Sequence, residues 1–256
     1  MWELYDELIE NIPGTILVKD VRIGSSWGYV SCENNCGIGV MYPIDSRMPR
    51  YKNDWTGRPL KDIACCARSW NLIEASVGIA AINCYYNSME QAKQNGIRIP
   101  TAHSGEDRMN DPFISYQKKV RNKNVAVVGH FPYLETLFEP ICNLSILELD
   151  PQKGDYPISA SEYLIPESDF VFITCGALTD KRLPRLLELS ANARSVLVGP
   201  ATPLTPLLFS HGVDDMSGFV FRDLERADRI LTGGQFGSLY TTGYKVYLSR
   251  PDTPGR

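Results

Sequence analysis

Histidine is scarce in this 256-residue chain: it occurs three times, at His103, His130 and His211. The seven cysteines include no Cys-x-x-Cys pair. Neither Cys32/Cys36 nor Cys65-Cys66 has a second ligand pair at zinc-site spacing. No apolar run approaches the roughly 20 residues that cross a bilayer, so no membrane partner is expected. There is no Gly-x-Ser-x-Gly elbow, no His-Glu-x-x-His and no Gly-x-x-x-x-Gly-Lys-Ser/Thr, which removes α/β-hydrolase, zincin and P-loop readings. Internal repeats and low-complexity tracts are missing as well. Positive charge is not in excess, at 26 Lys+Arg against 30 Asp+Glu for a net of −4, so nothing drives the chain globally toward nucleic acid. The opening MWELYDELIENIPG is acidic and amphipathic and lacks the basic-then-apolar layout of a secretory signal. A cytoplasmic location and reduced thiols are the expectation, with most cysteines acting as small buried hydrophobes.

What is present suits a soluble globular protein: 43% hydrophobic and 22% charged residues, enough to bury a sizeable core. Residues 1–100 read as an α+β unit. A helix-like start (Trp2, Leu4, Tyr5, Leu8, Ile9) precedes extended segments at Thr15–Ile23, Trp27–Ser31 and Gly37–Met41. A short helix around Leu60–Arg68 and a long one from about Asn71 to Gln94 follow, the latter rich in small and apolar residues and closed by Gly96. Residues 101–118 are polar and aperiodic at first and read as a linker, with a functional loop over Thr101–Pro112 as the alternative. From 119 to 256 short β-rich runs alternate with helical patterns: Val125–Val128, Ile146–Leu149, Phe170–Ile173, Ser195–Val198 and Phe219–Phe221. That alternation predicts parallel strands with right-handed crossovers, a Rossmann-like α/β domain.

In such a sheet ligands bind outside the carboxyl ends of the strands. Candidate binding residues are therefore Gly129 and Phe131 in the first strand-end loop, Asp150 after the second, Thr174 and Gly176 after the third, and Gly199, Pro200 and Thr202 after the fourth. Asp150 lies about 20 residues past the first loop, where an acid meets a ribose hydroxyl in dinucleotide sites. Gly129-His130-Phe131-Pro132-Tyr133-Leu134 nevertheless departs from Gly-x-Gly-x-x-Gly at its second and third glycines, which disfavours a standard NAD site. His130, at a strand end, suits a metal, an anion or a reacting proton, or else only steadies its turn. Cys175 is a candidate soft-metal ligand or nucleophile, against the alternative of a core thiol. Glu33, between Cys32 and Cys36, reads either as a solvated loop acid or as part of a metal site. His103, in the linker, is either solvated or faces an interdomain cleft.

The strings Val127-Val128-Gly129-His130-Phe131-Pro132, Glu148-x-Asp150-Pro151, Ser168 to Thr174 and Leu197-Val198-Gly199-Pro200-Ala201-Thr202-Pro203-Leu204, in that order, resemble the DUF364 family of heavy-metal chelation domains. The first half, with its Gly28-Tyr29-Val30 strand and Ala75–Asn83 helix, is similar to the companion DUF4213 domain. The resemblance implies a small enolase-N-terminal-like α+β domain packed on a Rossmann-like domain, with a site in the cleft between them. One departure stands out: the third turn reads Thr174-Cys175-Gly176-Ala177, which adds a thiol where the family shows Thr-Gly-Ser/Thr. The leading expectation is a metal ion, or a metal-bearing or anionic small molecule, held by His130, Asp150 and Cys175 from the strand ends and by Glu33 or His103 from the facing domain. The alternative is an enzyme using a nucleoside-containing cofactor, S-adenosylmethionine-like or nucleotide-like, with His130 as the catalytic acid–base. A homodimer is the expected assembly if one exists.

Overall fold

The computed structural model describes residues 2–42, 44, 47–51, 54–100, 110–231, 233 and 238–251. Helix α1 (Glu3–Glu10) buries Leu4, Tyr5, Leu8 and Ile9 along one stripe, as its spacing requires. Strands β1 (Asp20–Ile23), β2 (Trp27–Ser31) and β3 (Cys36–Val40) form an antiparallel meander in the order β1-β2-β3. Helix α2 (Leu60–Ala64) and a 3-10 turn (Cys65–Arg68) lead into the largely buried α3 (Leu72–Tyr86), capped by Asn71 Oδ1 accepting from the Glu74 N–H. Strand β3 lies directly on α3: a Cβ on Gly37 would collide with the Cys84 backbone nitrogen and one on Gly39 with the Ser76 carbonyl. The sequence predicts one helix from 71 to 94, but the chain breaks at Asn87-Ser88. Ser88 Oγ starts α4 (Met89–Gln94) by accepting from Gln91 N–H, and the Asn87 side chain is committed to the second half of the molecule.

The second half is built on a seven-stranded sheet of order β10-β9-β8-β7-β4-β5-β6. Its strands are β4 (Asn124–Val128), β5 (Asn143–Glu148), β6 (Tyr156–Pro157), β7 (Phe170–Thr174), β8 (Arg194–Val198), β9 (Asp215–Phe221) and β10 (Gly243–Ser249). All pairs are parallel except β9–β10. The expected Rossmann-like sheet is thus present, with an added antiparallel edge. The chain runs outward from β4 through β5 and β6, then returns to place β7 on the other side of β4. Strand order reverses there, opening a crevice between the ends of β4 and β7.

Period-2 alternation divides β4 between two cores. Val125 and Val127 join Phe138, Phe172 and Val196 on one face, with Phe113 and Tyr116 packed over them. Phe113 comes from a one-turn helix (Pro112–Ser115) within the stretch read as a linker. Ala126 and Val128 face the other way, into a core continuous with Leu8, Ile79 and Ile82 of the first half. The two halves therefore share one hydrophobic interior, and Tyr5 O–H crosses it to donate to the Leu178 carbonyl at 2.8 Å.

Candidate functional site: the rim of the parallel sheet

Strands β4, β5 and β7 are neighbours running the same way, so His130, Asp150 and Cys175 do leave the sheet at one rim. Their side chains then diverge. Glu148, the last residue of β5, accepts from the His130 backbone N–H at 2.8 Å through one oxygen and from Leu149 N–H at 2.7 Å through the other. This fixes the loop so that His130 Nδ1 lies 3.0 Å from Asp155 Oδ2 and Nε2 lies 3.1 Å from Glu135 Oε1. Asp155 is almost wholly covered (side chain 2% exposed) and also accepts from Gln152 N–H. The hydrogen bond that His130 Nδ1 donates to Asp155 raises the His130 pKa, and the charges of Asp155, Glu135 and Glu148 add to it against the opposing cost of desolvation. The result is an imidazole with both nitrogens engaged by carboxylates.

Asp150, the expected acid, is exposed, and the carboxylate that reaches His130 is Asp155. Nothing in spacing alone distinguishes the two; the Gly154 turn at φ +108° folds the chain back and delivers Asp155. Cys175 is 2% exposed and sits among Tyr29, Cys36, Ile38, Ala201 and Phe219. Burial pushes its thiol up to about 12, so it is a core thiol. Thr174 contacts Gly129 and accepts from Gly176 N–H at 3.3 Å, which steadies the turn, while Gly176 abuts the Tyr42 hydroxyl. Glu33 is exposed in the β2–β3 turn and lines a different cavity with Cys32 and Cys36. His103 lies outside the described residues. His211 pairs through Nε2 with Glu7 at 2.9 Å.

The amino-terminal half does roof the β7–β8 side of the rim, but it fills the space that a cleft there would need. Asn83 Nδ2 donates to the carbonyls of Ile38 and Ala201, both at 2.8 Å. Asn87 Nδ2 donates to the Thr202 and Phe219 carbonyls, and its Oδ1 accepts from Leu204 N–H. Thr202 is consequently an inter-half joint.

Open space remains past the ends of β4 and β8 and beside the middle of β9, in a cavity of ≈ 370 Å³. Phe113, Phe131, Tyr133, Pro200, Tyr240 and Lys245 give it its character, and Gly199 and Gly218 contribute backbone. Phe113 and Phe131 pack with ring centroids 4.9 Å apart, forming one wall. Lys245 Nζ is held 3.1 Å from Asp111 Oδ2 and 4.8 Å from the Tyr240 ring centre, leaving donors for a further acceptor. Of the residues expected from sequence, Phe131, Gly199 and Pro200 line this space, while His130 turns away from it. Tyr240 and Lys245 are not among the residues expected from sequence; Lys245 lies on β10 and Tyr240 in the turn before it. The alternation in Gly243-Tyr-Lys-Val-Tyr-Leu-Ser249 was the available signal.

The expected metal centre does not fit the described side chains. They contain no group of three or more His, Cys, Asp or Glu able to hold an ion. Five of the seven cysteines are buried, and Cys175 lies apart from His130 in the packed interior. Among the described residues no helix is long and apolar enough to cross a membrane.

Two family models match the chain, both described as "Putative heavy-metal chelation": DUF364 over residues 111–250 and DUF4213 over residues 5–86. A crystal structure of a DUF364 protein of unknown function from Desulfitobacterium hafniense DCB-2 is 48% identical, with a TM-score of 0.90 and coverage of 98% of this chain and 99% of that one. A second DUF364 protein of unknown function, from Pyrococcus horikoshii, shares the fold at 18% identity, with a TM-score of 0.78 over 96% of this chain and 98% of that one. No curated protein matches the sequence.

Proposed function

Because the chain belongs to the DUF364 family, we propose that it binds a small anionic molecule with a flat apolar body, free or carrying a metal ion, in the cavity past the ends of β4 and β8 and beside β9. The observation that carries this reading is the pairing of aromatic walls from Phe113, Phe131, Tyr133 and Tyr240 with one fixed cation, Lys245. Pockets for small ligands are built this way, mostly apolar with a few placed polar groups that orient the guest. Heavy-metal chelation, the description attached to the family, then comes about through a chelate whose own atoms hold the metal. That reading agrees with the lack of a three-ligand cluster among the described side chains. Phe131 and Tyr133 stack on the ligand, Lys245 receives its carboxylate, and the Gly199-Pro200 turn sets the depth of the pocket.

Pyridine-2,6-dicarboxylate and its zinc and nickel complexes are suitable probes, read by calorimetry and by the rise in Tm. At a hundred times Kd a bound ligand stabilises by about 2.7 kcal/mol. Lys245→Met and Phe131→Ala should each weaken binding about ten-fold or more, while His130→Ala should leave it unchanged. Equal binding by all four proteins, or binding lost only with His130→Ala, refutes the pocket. S-adenosylmethionine and NAD form a separate arm, because a stabilising response to them alone would favour a nucleoside-bearing cofactor instead.

A further inference from the structure

Away from the rim, two cysteines distant in sequence meet. Cys32 follows β2 and Cys84 lies in the last turns of α3, 52 positions apart in sequence, and their sulfurs are 3.6 Å apart. This is van der Waals contact between sulfur atoms, with nothing interposed, and about 1.5 Å of closure would bring it to the ≈ 2.05 Å of a disulfide. The contact is directional: the Cys84 S–H donates to Cys32 Sγ. Cys84 is 1% exposed, whereas Cys32 is 6% exposed and lines a cavity of ≈ 370 Å³ that reaches the surface between the β2–β3 turn and the helix Leu224–Leu231. One thiol is thus reachable by a small molecule and the other waits directly behind it. Reactive cysteines with a resolving partner are arranged in this way.

Among the described residues, the mouth of that cavity is lined by Asp20, Glu33, Glu225 and Asp228 with Lys19, while Arg22 pairs with Asp20 at 2.7 Å and Arg229 with Glu225 at 3.9 Å, so four acids stand against three cations. Anionic oxidants approach against this field, and neutral ones do not. We propose that Cys32 and Cys84 are a peroxide-sensitive dithiol, with Cys32 the reacting and Cys84 the resolving thiol.

The chemistry balances without a cofactor. The Cys32 thiolate attacks one oxygen of hydrogen peroxide, the O–O bond breaks, and Cys32 becomes a sulfenic acid while the second oxygen leaves as water. Cys84 then attacks the Cys32 sulfur, forming the S–S bond and expelling the sulfenic oxygen as a second water. Two thiols lose two electrons in all, and one peroxide is reduced to two waters. A hydrogen bond from Cys84 lowers the Cys32 pKa against the cost of its burial, which favours the first step. Cys36 shares the neighbourhood, but burial raises its thiol and its hydrogen bond goes to Tyr29.

The test treats the folded full-length protein with one equivalent of hydrogen peroxide, blocks free thiols after denaturation and maps peptides without reduction. The expected result is an intramolecular Cys32–Cys84 peptide and a fall of two in a thiol count that starts at seven, both reversed by dithiothreitol. In Cys84→Ser the link should vanish while dimedone labels Cys32 as its sulfenic acid, a readout that also reports a correctly placed Cys32. Oxidised glutathione at equal concentration should react about ten-fold more slowly, and added salt should narrow the difference. Over-oxidation of Cys32 without a link, a Cys32–Cys36 link, or dimedone labelling confined to Cys65 or Cys142 overturns the dithiol. A rate with oxidised glutathione equal to that with peroxide overturns the choice of oxidant.

Discussion

Replacing Asn87 by alanine tests whether the two halves are joined as described. The side chain is 3% exposed at the end of α3 and makes three hydrogen bonds to the second half: to Thr202 O at 2.9 Å, to Phe219 O at 3.3 Å, and from Leu204 N–H at 2.9 Å. Alanine removes all three and leaves two carbonyls and one N–H in a space too tight for easy rehydration. At about 1–3 kcal/mol for each stranded group, discounted because the 3.3 Å bond is long, the loss should be roughly 3–5 kcal/mol. With a urea m-value of about 2–3 kcal/mol/M the midpoint should fall by roughly 1–2 M. Asn11→Ala is the matched control: its Nδ2 donates to Glu7 O at the same 2.9 Å, but on the surface, and it should cost less than about 0.5 kcal/mol. Asn87→Asp adds a signed test, because its carboxylate would face two carbonyl oxygens and titrate above its unfolded value. Its stability should therefore hold below the unfolded pKa and fall as pH rises through the folded one. A midpoint shift for Asn87→Ala no larger than that for Asn11→Ala refutes the joint.

Gly199→Ala should destabilise by about 1–3 kcal/mol for forcing a side chain into φ +130°, and by a comparable amount for the collision of its Cβ with Cys175 Sγ. Adding Cys175→Ala should restore the second part alone, and a Tm series on the two single variants and the double variant will show whether it does. His130 should titrate above an unperturbed imidazole in an NMR pH series, and Asp155→Asn should move it downward. A raised folded pKa means that the stabilisation is full below the unfolded value of about 6.5 and is lost as pH rises through the folded one. The wild-type Tm should decline across that window, and the decline should be shallower in Asp155→Asn. An unchanged His130 titration in the variant would remove Asp155 as the cause.

Much of the fold is legible because its signals are local. Val125–Val128, Phe170–Thr174 and Arg194–Val198 each announce a buried parallel strand by a β-branched or aromatic run ending in glycine or a polar turn. The break in the long helix at Asn87 is harder to see, since Asn83-Cys-Tyr-Tyr-Asn-Ser continues a helical composition and only contacts with Thr202 and Leu204 explain the interruption. The edge strand Gly243–Ser249 is hidden by its polar lysine and serine, yet among the described residues it supplies the one cation lining the cavity.

The Rossmann-like sheet and the rim from which ligand residues emerge follow from the sequence alone, since strand periodicity and strand-end turns are properties of neighbouring residues, and the family follows from the resemblance of the ordered strand-end strings. Which rim residue faces a ligand is settled only by packing between segments far apart in the chain. Glu148 and Asp155 pull His130 to one side, Tyr29 of β2 and Cys36 and Ile38 of β3 enclose Cys175 in the interior, and β10 brings Lys245 to the cavity that Phe131 also lines. Side-chain direction at a loop depends on the partner that satisfies each polar group, and those partners lie 18 to more than 100 residues away.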